Sequence, residues 1–196
     1  MIQLVNVNIE EFKRVVFPQY IKLFPKEERK SYEEIEKSFN KNITKIIEIV
    51  DNDIFIGFMM INTIKDNTYI QLDYFAILPR YQNKGYGTQA LNLLKKQSRE
   101  FNGILVEIEK LGLGINETEN KLREKRMKFY KRIGFYKLNF ELEWFKNLIF
   151  VPYILQTSSY KDEEEEILKN IFEICIATHG KDKVEKNCKV LYRYKK

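Results

Sequence analysis

The chain has 196 residues, 44% of them hydrophobic and 14% aromatic, with 34 Lys+Arg against 28 Asp+Glu for a formal net charge of +6. That is enough apolar surface to offset chain entropy, which excludes a disordered protein, and the length is that of one well-buried domain. The surplus charge is mild and spread along the chain outside the run Asp162, Glu163, Glu164, Glu165, Glu166, which argues against a nucleic-acid binder. Cys175 and Cys188 have no metal or redox spacing and are expected as reduced, buried thiols. No stretch approaches the roughly 18 apolar residues that span a bilayer, and the first residues do not resemble a secretory leader, so no membrane association and a cytoplasmic location are expected.

In chain order, residues 2–7 read as a strand and Asn8 as the N-cap of a helix that Pro18 should kink or divide. Pro25, followed by Lys26, Glu27 and Glu28, predicts a second helix running to about Phe39. Residues 44–50 and 54–64 form a hairpin turned at Asp51, Asn52 and Asp53, and a turn at Lys65, Asp66 and Asn67 leads to a strand over 68–78. A helix is predicted from Gly85 to about Phe101, with Ala90, Leu91, Leu94, Gln97 and Ser98 on one side. Gly103 ends it and 104–108 is the next strand, so strand, helix and strand make a right-handed crossover with two parallel strands. A loop over 110–116 precedes a charged helix over about 117–133, which Gly134 caps. Residues 135–145 and 147–155 close the sheet through a tight turn at Lys146 and Asn147, and a last helix runs over 161–178 to Gly180.

The densest information lies in residues 72–88. An apolar strand, with Phe75, Ala76 and Ile77 near its end, turns through Gln82, Asn83, Lys84, Gly85, Tyr86, Gly87 and Thr88 into an amphipathic helix. Glycines let backbone approach a ligand closely, and a helix start offers free amide hydrogens and partial positive charge, a pairing suited to phosphate oxygens. The spacing is neither that of a mononucleotide P-loop nor that of a dinucleotide fingerprint.

Gln82 to Gly87 resembles the Gln/Arg-x-x-Gly-x-Gly/Ala signature of the GNAT superfamily of acyl-CoA-dependent N-acyltransferases. A second landmark is similar too: Tyr130 in a helix, followed four residues on by Gly134 and Phe135. The resemblance covers about residues 43–155, with 158–196 as a C-terminal helical extension of one domain spanning 1–196. It implies an α+β (α/β) fold: a mixed, mostly antiparallel sheet with a splayed parallel strand pair and helices on both faces. It also implies acetyl-CoA as acyl donor, no metal, and direct attack by a primary amine in a ternary complex. A β-bulge in the strand before the loop would expose backbone near Phe75, Ala76 and Ile77 to the thioester. Gln82 to Thr88 would take the pyrophosphate, Lys84 adding a charge contact, and the positive surplus would draw the polyanionic cofactor to its cleft.

Tyr130 aligns with the family's general acid toward the sulfur, and a phenol suits that task because it stays protonated at neutral pH. Arg126 stands where many relatives carry a small residue and Arg123 where many carry a cofactor-contacting asparagine; an arginine here could touch the cofactor or anchor the loop. Asp73, Glu107 and Glu109 are the acids that strand alternation could aim at the cleft, Glu107 being the preferred base through a water relay. Gln71 sits where some relatives keep a glutamate, and an amide cannot remove a proton. His179 is expected outside the chemistry, and Tyr20, Tyr32, Trp144 and Tyr153 are candidate wall residues or core. The acceptor, a small-molecule or protein amine, has no signature. A CoA-binding sensor or scaffold without turnover is the alternative function, and the closing strands could pair across a homodimer.

Overall fold

The computed structural model describes residues 1–65, 68–145, 148–159 and 162–193. Strand β1 (Ile2–Asn6) leads into a broken helix: α1 (Ile9–Glu11), a π-helical turn over Phe12–Val16, and α2 (Phe17–Leu23). Asn8 caps it, its side-chain oxygen accepting the Glu11 amide hydrogen at 2.8 Å. The wide turn precedes Pro18, whose ring clashes with a carbonyl four residues back, so the expected kink takes the form of a π turn.

Helix α3 covers Tyr32–Asn40, not the stretch from Pro25 that the sequence suggested. Ser31 and Glu34 form a capping box, each side chain bonding the other's backbone amide, and that cap sets the start. The backbone of residues 25–31 is held elsewhere. The Tyr20 hydroxyl accepts the Lys30 amide hydrogen at 2.7 Å, and the Tyr74 hydroxyl donates to the Glu28 carbonyl at 2.7 Å. These tyrosines bind groups a helix would use for itself.

Strands β2 (Thr44–Asp51) and β3 (Ile54–Asn62) form the expected hairpin, with Asn52 and Asp53 both at positive φ (48° and 63°), as a tight two-residue turn requires. Then come β4 (Tyr69–Ile77), α4 (Tyr86–Gln97), β5 (Gly103–Glu109) and α5 (Glu117–Ile133), capped by Gly134 at φ 107°. The chain closes with β6 (Tyr136–Lys137), β7 (Phe140–Trp144), β8 (Leu148–Gln156), α6 (Glu164–His179), α7 (Lys181–Asn187) and β9 (Lys189–Arg193). Asp66, Asn67, Lys146, Asn147 and Lys161, which carry two expected turns and the expected start of the last helix, lie outside the described residues.

The sheet order is β1-β2-β3-β4-β5-β8-β7-β9, with β6 beside β8, and among the described residues only β4 and β5 pair in parallel. The C-terminal extension is therefore not helical throughout: β9 pairs with β7 and extends the sheet, a contact no local pattern announces. Helices α4 and α5 cover one face through Leu91, Leu94 and Tyr130, packed with Ile47, Met59 and Leu72. On the other face, Phe12, Val16, Tyr20 and Ile35 pack on Ile46, Phe58 and Met60, while Ile167, Ile171 and Val184 pack on Leu105, Leu142 and Ile154. Burying each such side chain contributes about 1.5–3 kcal/mol.

Two irregularities open the sheet. Met60 pairs with Tyr74 but Ile61 with Leu72, leaving Asp73 as the extra residue of a β-bulge in β4. The extra residue reverses the alternation: Ile70 and Leu72 face α4, then Tyr74 faces the opposite core. On its other side β4 pairs with β5 only as far as Gln71 opposite Leu105. From Leu72 onward the two parallel strands part.

Candidate active site

Two cavities flank the parted strands. One of about 340 Å³ lies at the start of α4, and one of about 490 Å³ lies between residues 24–30, α6 and α7 over the ends of β4 and β5. Phe75, Arg126 and Tyr130 line both, so the two cavities adjoin at the gap.

The smaller cavity is built by the glycine loop. Hydrogen bonding within α4 begins with the Gln89 amide on the Gly85 carbonyl (3.1 Å), which leaves the amides of Tyr86, Gly87 and Thr88 ahead of the ladder, at the positive end of the helix dipole. Gly85 is at φ 82°, a left-handed conformation. At Gly87 a β-carbon would stand 3.2 Å from the Phe129 ring, so only glycine leaves this wall open. Lys125, Arg126 and Arg132 add positive charge to the lining. Free amides, an unfilled glycine cradle and three cations fit a pyrophosphate.

The expected loop residues divide by role. Ile77, Gln82, Asn83, Gly85, Tyr86, Gly87 and Thr88 line the cavity, whereas Ala76 and Lys84 do not. The Lys84 ammonium instead lies 5.8 Å from the centre of the Tyr81 ring. Gln82 pins the loop to the strand end, its amide donating to the Ile77 carbonyl at 2.8 Å, and the Tyr86 hydroxyl donates to Asp51 at 2.9 Å. Lys125, Phe129 and Arg132 escaped the sequence reading although their spacing puts them on one helix face.

Tyr130 sits on the wall that the two cavities share, edge-on to Phe129 and Phe135. Burial raises its phenol well above the ordinary range, and its hydroxyl enters no hydrogen bond among the described residues.

The larger cavity holds the acids. Glu107 accepts from the Trp144 indole at 2.8 Å and from the Gln71 amide at 3.0 Å. Burial pushes its carboxyl up to about 7; the two donors pull against that shift and the nearby Asp73 charge adds to it. Asp73, on the bulge, is engaged by the Lys30 ammonium and by the Asn62 amide (3.0 Å). Glu109 is engaged by Arg126, and Arg123 anchors the loop after β5 by donating to the Lys110 carbonyl at 3.0 Å. Glu28, in the roof, is also raised to about 7, first by burial and then by Glu109.

Trp144 is a wall residue as well as a donor, while Tyr20, Tyr32 and Tyr153 are outside the lining. His179 lies in the lining against the Phe145 ring (4.6 Å between centroids), and burial lowers its imidazole to about 4, which keeps it neutral near neutral pH. Lys30 and Asn62 were not singled out from the sequence; both reach the site across 11 or more residues of chain, without a local signal.

No curated protein matches the chain. Among solved structures it is similar to a protein described as a GNAT-family acetyltransferase from Bacteroides thetaiotaomicron (18% identity, TM-score 0.71, covering 91% of this chain and 99% of that one). It is similar also to the ribosomal-protein-S18-alanine N-acetyltransferase of Escherichia coli (14%, TM-score 0.58, 83% and 98%) and to the spermidine N-acetyltransferase of Vibrio cholerae in complex with CoA and spermine (16%, TM-score 0.58, 80% and 95%). Residues 9–135 match the family model described as Acetyltransferase (GNAT) family. With most of the chain matched by that model, and with the bulge, the parted strands and the glycine loop in place, this protein belongs to the GNAT family of acetyltransferases.

Proposed function

We propose that the protein is an N-acetyltransferase that moves the acetyl group of acetyl-CoA to a primary amine by direct attack in a ternary complex. The observation that carries this reading is the parting of β4 and β5, where Tyr130 lies on the wall shared by the glycine-loop cavity and the acid-lined one.

Bound acetyl-CoA supplies an acyl thioester. The amides of Tyr86, Gly87 and Thr88, with Lys125 and Arg132, hold the pyrophosphate, and the unpaired edge of β4 near Phe75, Ala76 and Ile77 polarises the thioester carbonyl. Glu107, directly or through a water, takes the proton of the incoming ammonium; its raised value matches it to neutral pH. The neutral amine forms the C–N bond, the C–S bond breaks, Tyr130 gives its proton to the departing thiolate, and the second proton shed by the acylated nitrogen returns to the Tyr130 oxygen through water. The larger cavity is lined by more carboxyl groups than Lys and Arg side chains, which supports a cationic acceptor. Spermidine and a ribosomal-protein alanine, named for two structural neighbours, are both amines and support that class.

Thermal unfolding with and without saturating acetyl-CoA is the first test. A ligand at about a hundred times its Kd adds about 2.7 kcal/mol, a rise of roughly 5–10 °C for a domain of this size. Release of free CoA thiol is then followed across a panel of polyamines, aminoglycosides, amino acids and peptide N-termini. No thermal shift in a folded sample overturns the donor assignment. A shift with no amine acetylated identifies a CoA-binding module without turnover.

A further inference from the structure

We propose that Asn62 and Gln71 form a buried amide relay that positions the Glu107 carboxylate as a proton acceptor and fixes its donors through the Lys30–Asp73 ion pair. The proposal rests on the acetyltransferase reading and gives two residues of the site a positioning role.

Thr44, Asn62 and Gln71 are 5%, 0% and 9% exposed, so three polar side chains lie side by side on adjacent strands β2, β3 and β4. Buried amides cost free energy unless satisfied, and these are satisfied in one pattern. The Thr44 hydroxyl donates to Asn62 Oδ1 at 2.7 Å. Asn62 Nδ2 donates to Asp73 Oδ2 at 3.0 Å and to Gln71 Oε1 at 2.9 Å, and Gln71 Nε2 donates to Glu107 Oε2 at 3.0 Å. The direction of this chain follows from charge. An ionised Asp73, held by Lys30, only accepts, so Asn62 must turn its NH₂ toward it. Gln71 must then offer its carbonyl to Asn62 and its NH₂ to Glu107. Trp144, a pure donor, takes the other Glu107 oxygen.

Both Glu107 oxygens thus face N–H groups, and the remaining lone pairs are left for an incoming proton. If the relay were released, Gln71 could turn its carbonyl to Glu107, a partner that favours the protonated acid and leaves the base disabled. The charged and titratable groups around Glu107 are Asp73 on β4, Lys30 on the connection before α3, Cys175 on α6 and Cys188 after α7. His179, Lys183 and Glu34 line the same cavity farther along.

The test follows the Glu107 carboxyl itself, in protein labelled at the glutamate carboxyl carbons with ¹³C, its resonance identified by loss in Glu107→Gln. In wild type it should titrate near neutrality. In Gln71→Met the midpoint should rise by about one unit, since the carboxylate loses an N–H donor that favours its charged form. Lys30→Met, a substitution in the partly exposed connection, should raise it too, and protects the test if Gln71→Met does not fold. In the double variant a relay makes the two effects less than additive, whereas action through space makes them add. An unmoved midpoint in both single variants, or full additivity, overturns the proposal. The pH midpoint of kcat/KM with the best amine of the panel should move with the NMR midpoint, and a kinetic midpoint that stays put overturns the catalytic role. Coupled midpoints in a protein that acetylates no amine uphold the relay while the acetyltransferase reading fails.

Discussion

Tyr130 carries a hydroxyl that no described side chain or backbone group holds, on the wall between the two cavities, where a leaving thiolate would need a proton. Tyr130→Phe keeps the ring contacts with Phe129 and Phe135 and removes only that hydroxyl. Stability should change by less than about 1 kcal/mol, because no hydrogen bond is broken, while single-turnover acetylation should fall by about 10²-fold or more. Unchanged turnover with an unchanged melting temperature would remove Tyr130 from the chemistry. At this scale the sequence was readable where a residue's placement depends on its own element: Glu107 and Asp73 were picked out by strand position, and both line the larger cavity. It was silent where the role depends on distant partners. Gln71 could be dismissed as a base from its chemistry alone, but its use as a donor becomes visible only once Asn62 and Glu107 are brought beside it.

Helix α4 separates two duties that glycine performs. Gly85 sits at φ 82°, and an alanine there costs about 1–2 kcal/mol from backbone strain alone. Gly87 lies inside the helix, where alanine is favoured by about 1 kcal/mol, but its β-carbon would crowd Phe129 and partly fill the cradle. Gly85→Ala should therefore lower the midpoint of urea unfolding without ligand. Gly87→Ala should leave that midpoint near wild type and shrink the acetyl-CoA-induced thermal shift; a full shift in Gly87→Ala would place the pyrophosphate elsewhere. The elements read correctly from sequence are those with local end signals, such as α5 between Asn116 and Gly134 and the hairpin at Asn52 and Asp53. Those misread answer to tertiary partners. The proline at 25 gave a sound local helix signal that lost to Tyr20, Tyr74 and the capping box at Ser31, and β9 exists because β7 offers it an edge. A bulge in this strand was expected from family resemblance alone, and its position at Asp73 was not, since nothing in residues 68–78 announces an extra residue.

The stability of the whole molecule should record the site's electrostatics. Glu107 and Glu28 stand at about 7 in the folded chain against an ordinary 4.5, so between those values the native state keeps protons that the unfolded chain has released. Raising the pH through that window strips them and costs stability. His179 works in the opposite sense: at about 4 against an ordinary 6.5, it leaves the unfolded chain holding the extra proton between those values, so stability rises with pH there. Where the windows overlap, two acids oppose one histidine, and wild type should lose up to about 1 kcal/mol of stability per pH unit as pH rises. His179→Gln removes the opposing member and should steepen the fall by up to about 1 kcal/mol per pH unit, while Glu107→Gln should flatten it by a similar amount. Urea unfolding at about pH 5 and about pH 6.5 measures both slopes, and the loss of the Phe145 contact in His179→Gln shifts both points together without altering the slope. A slope unchanged in Glu107→Gln would mean that this carboxyl titrates in the ordinary range, and with that its assignment as a base matched to neutral pH would fail.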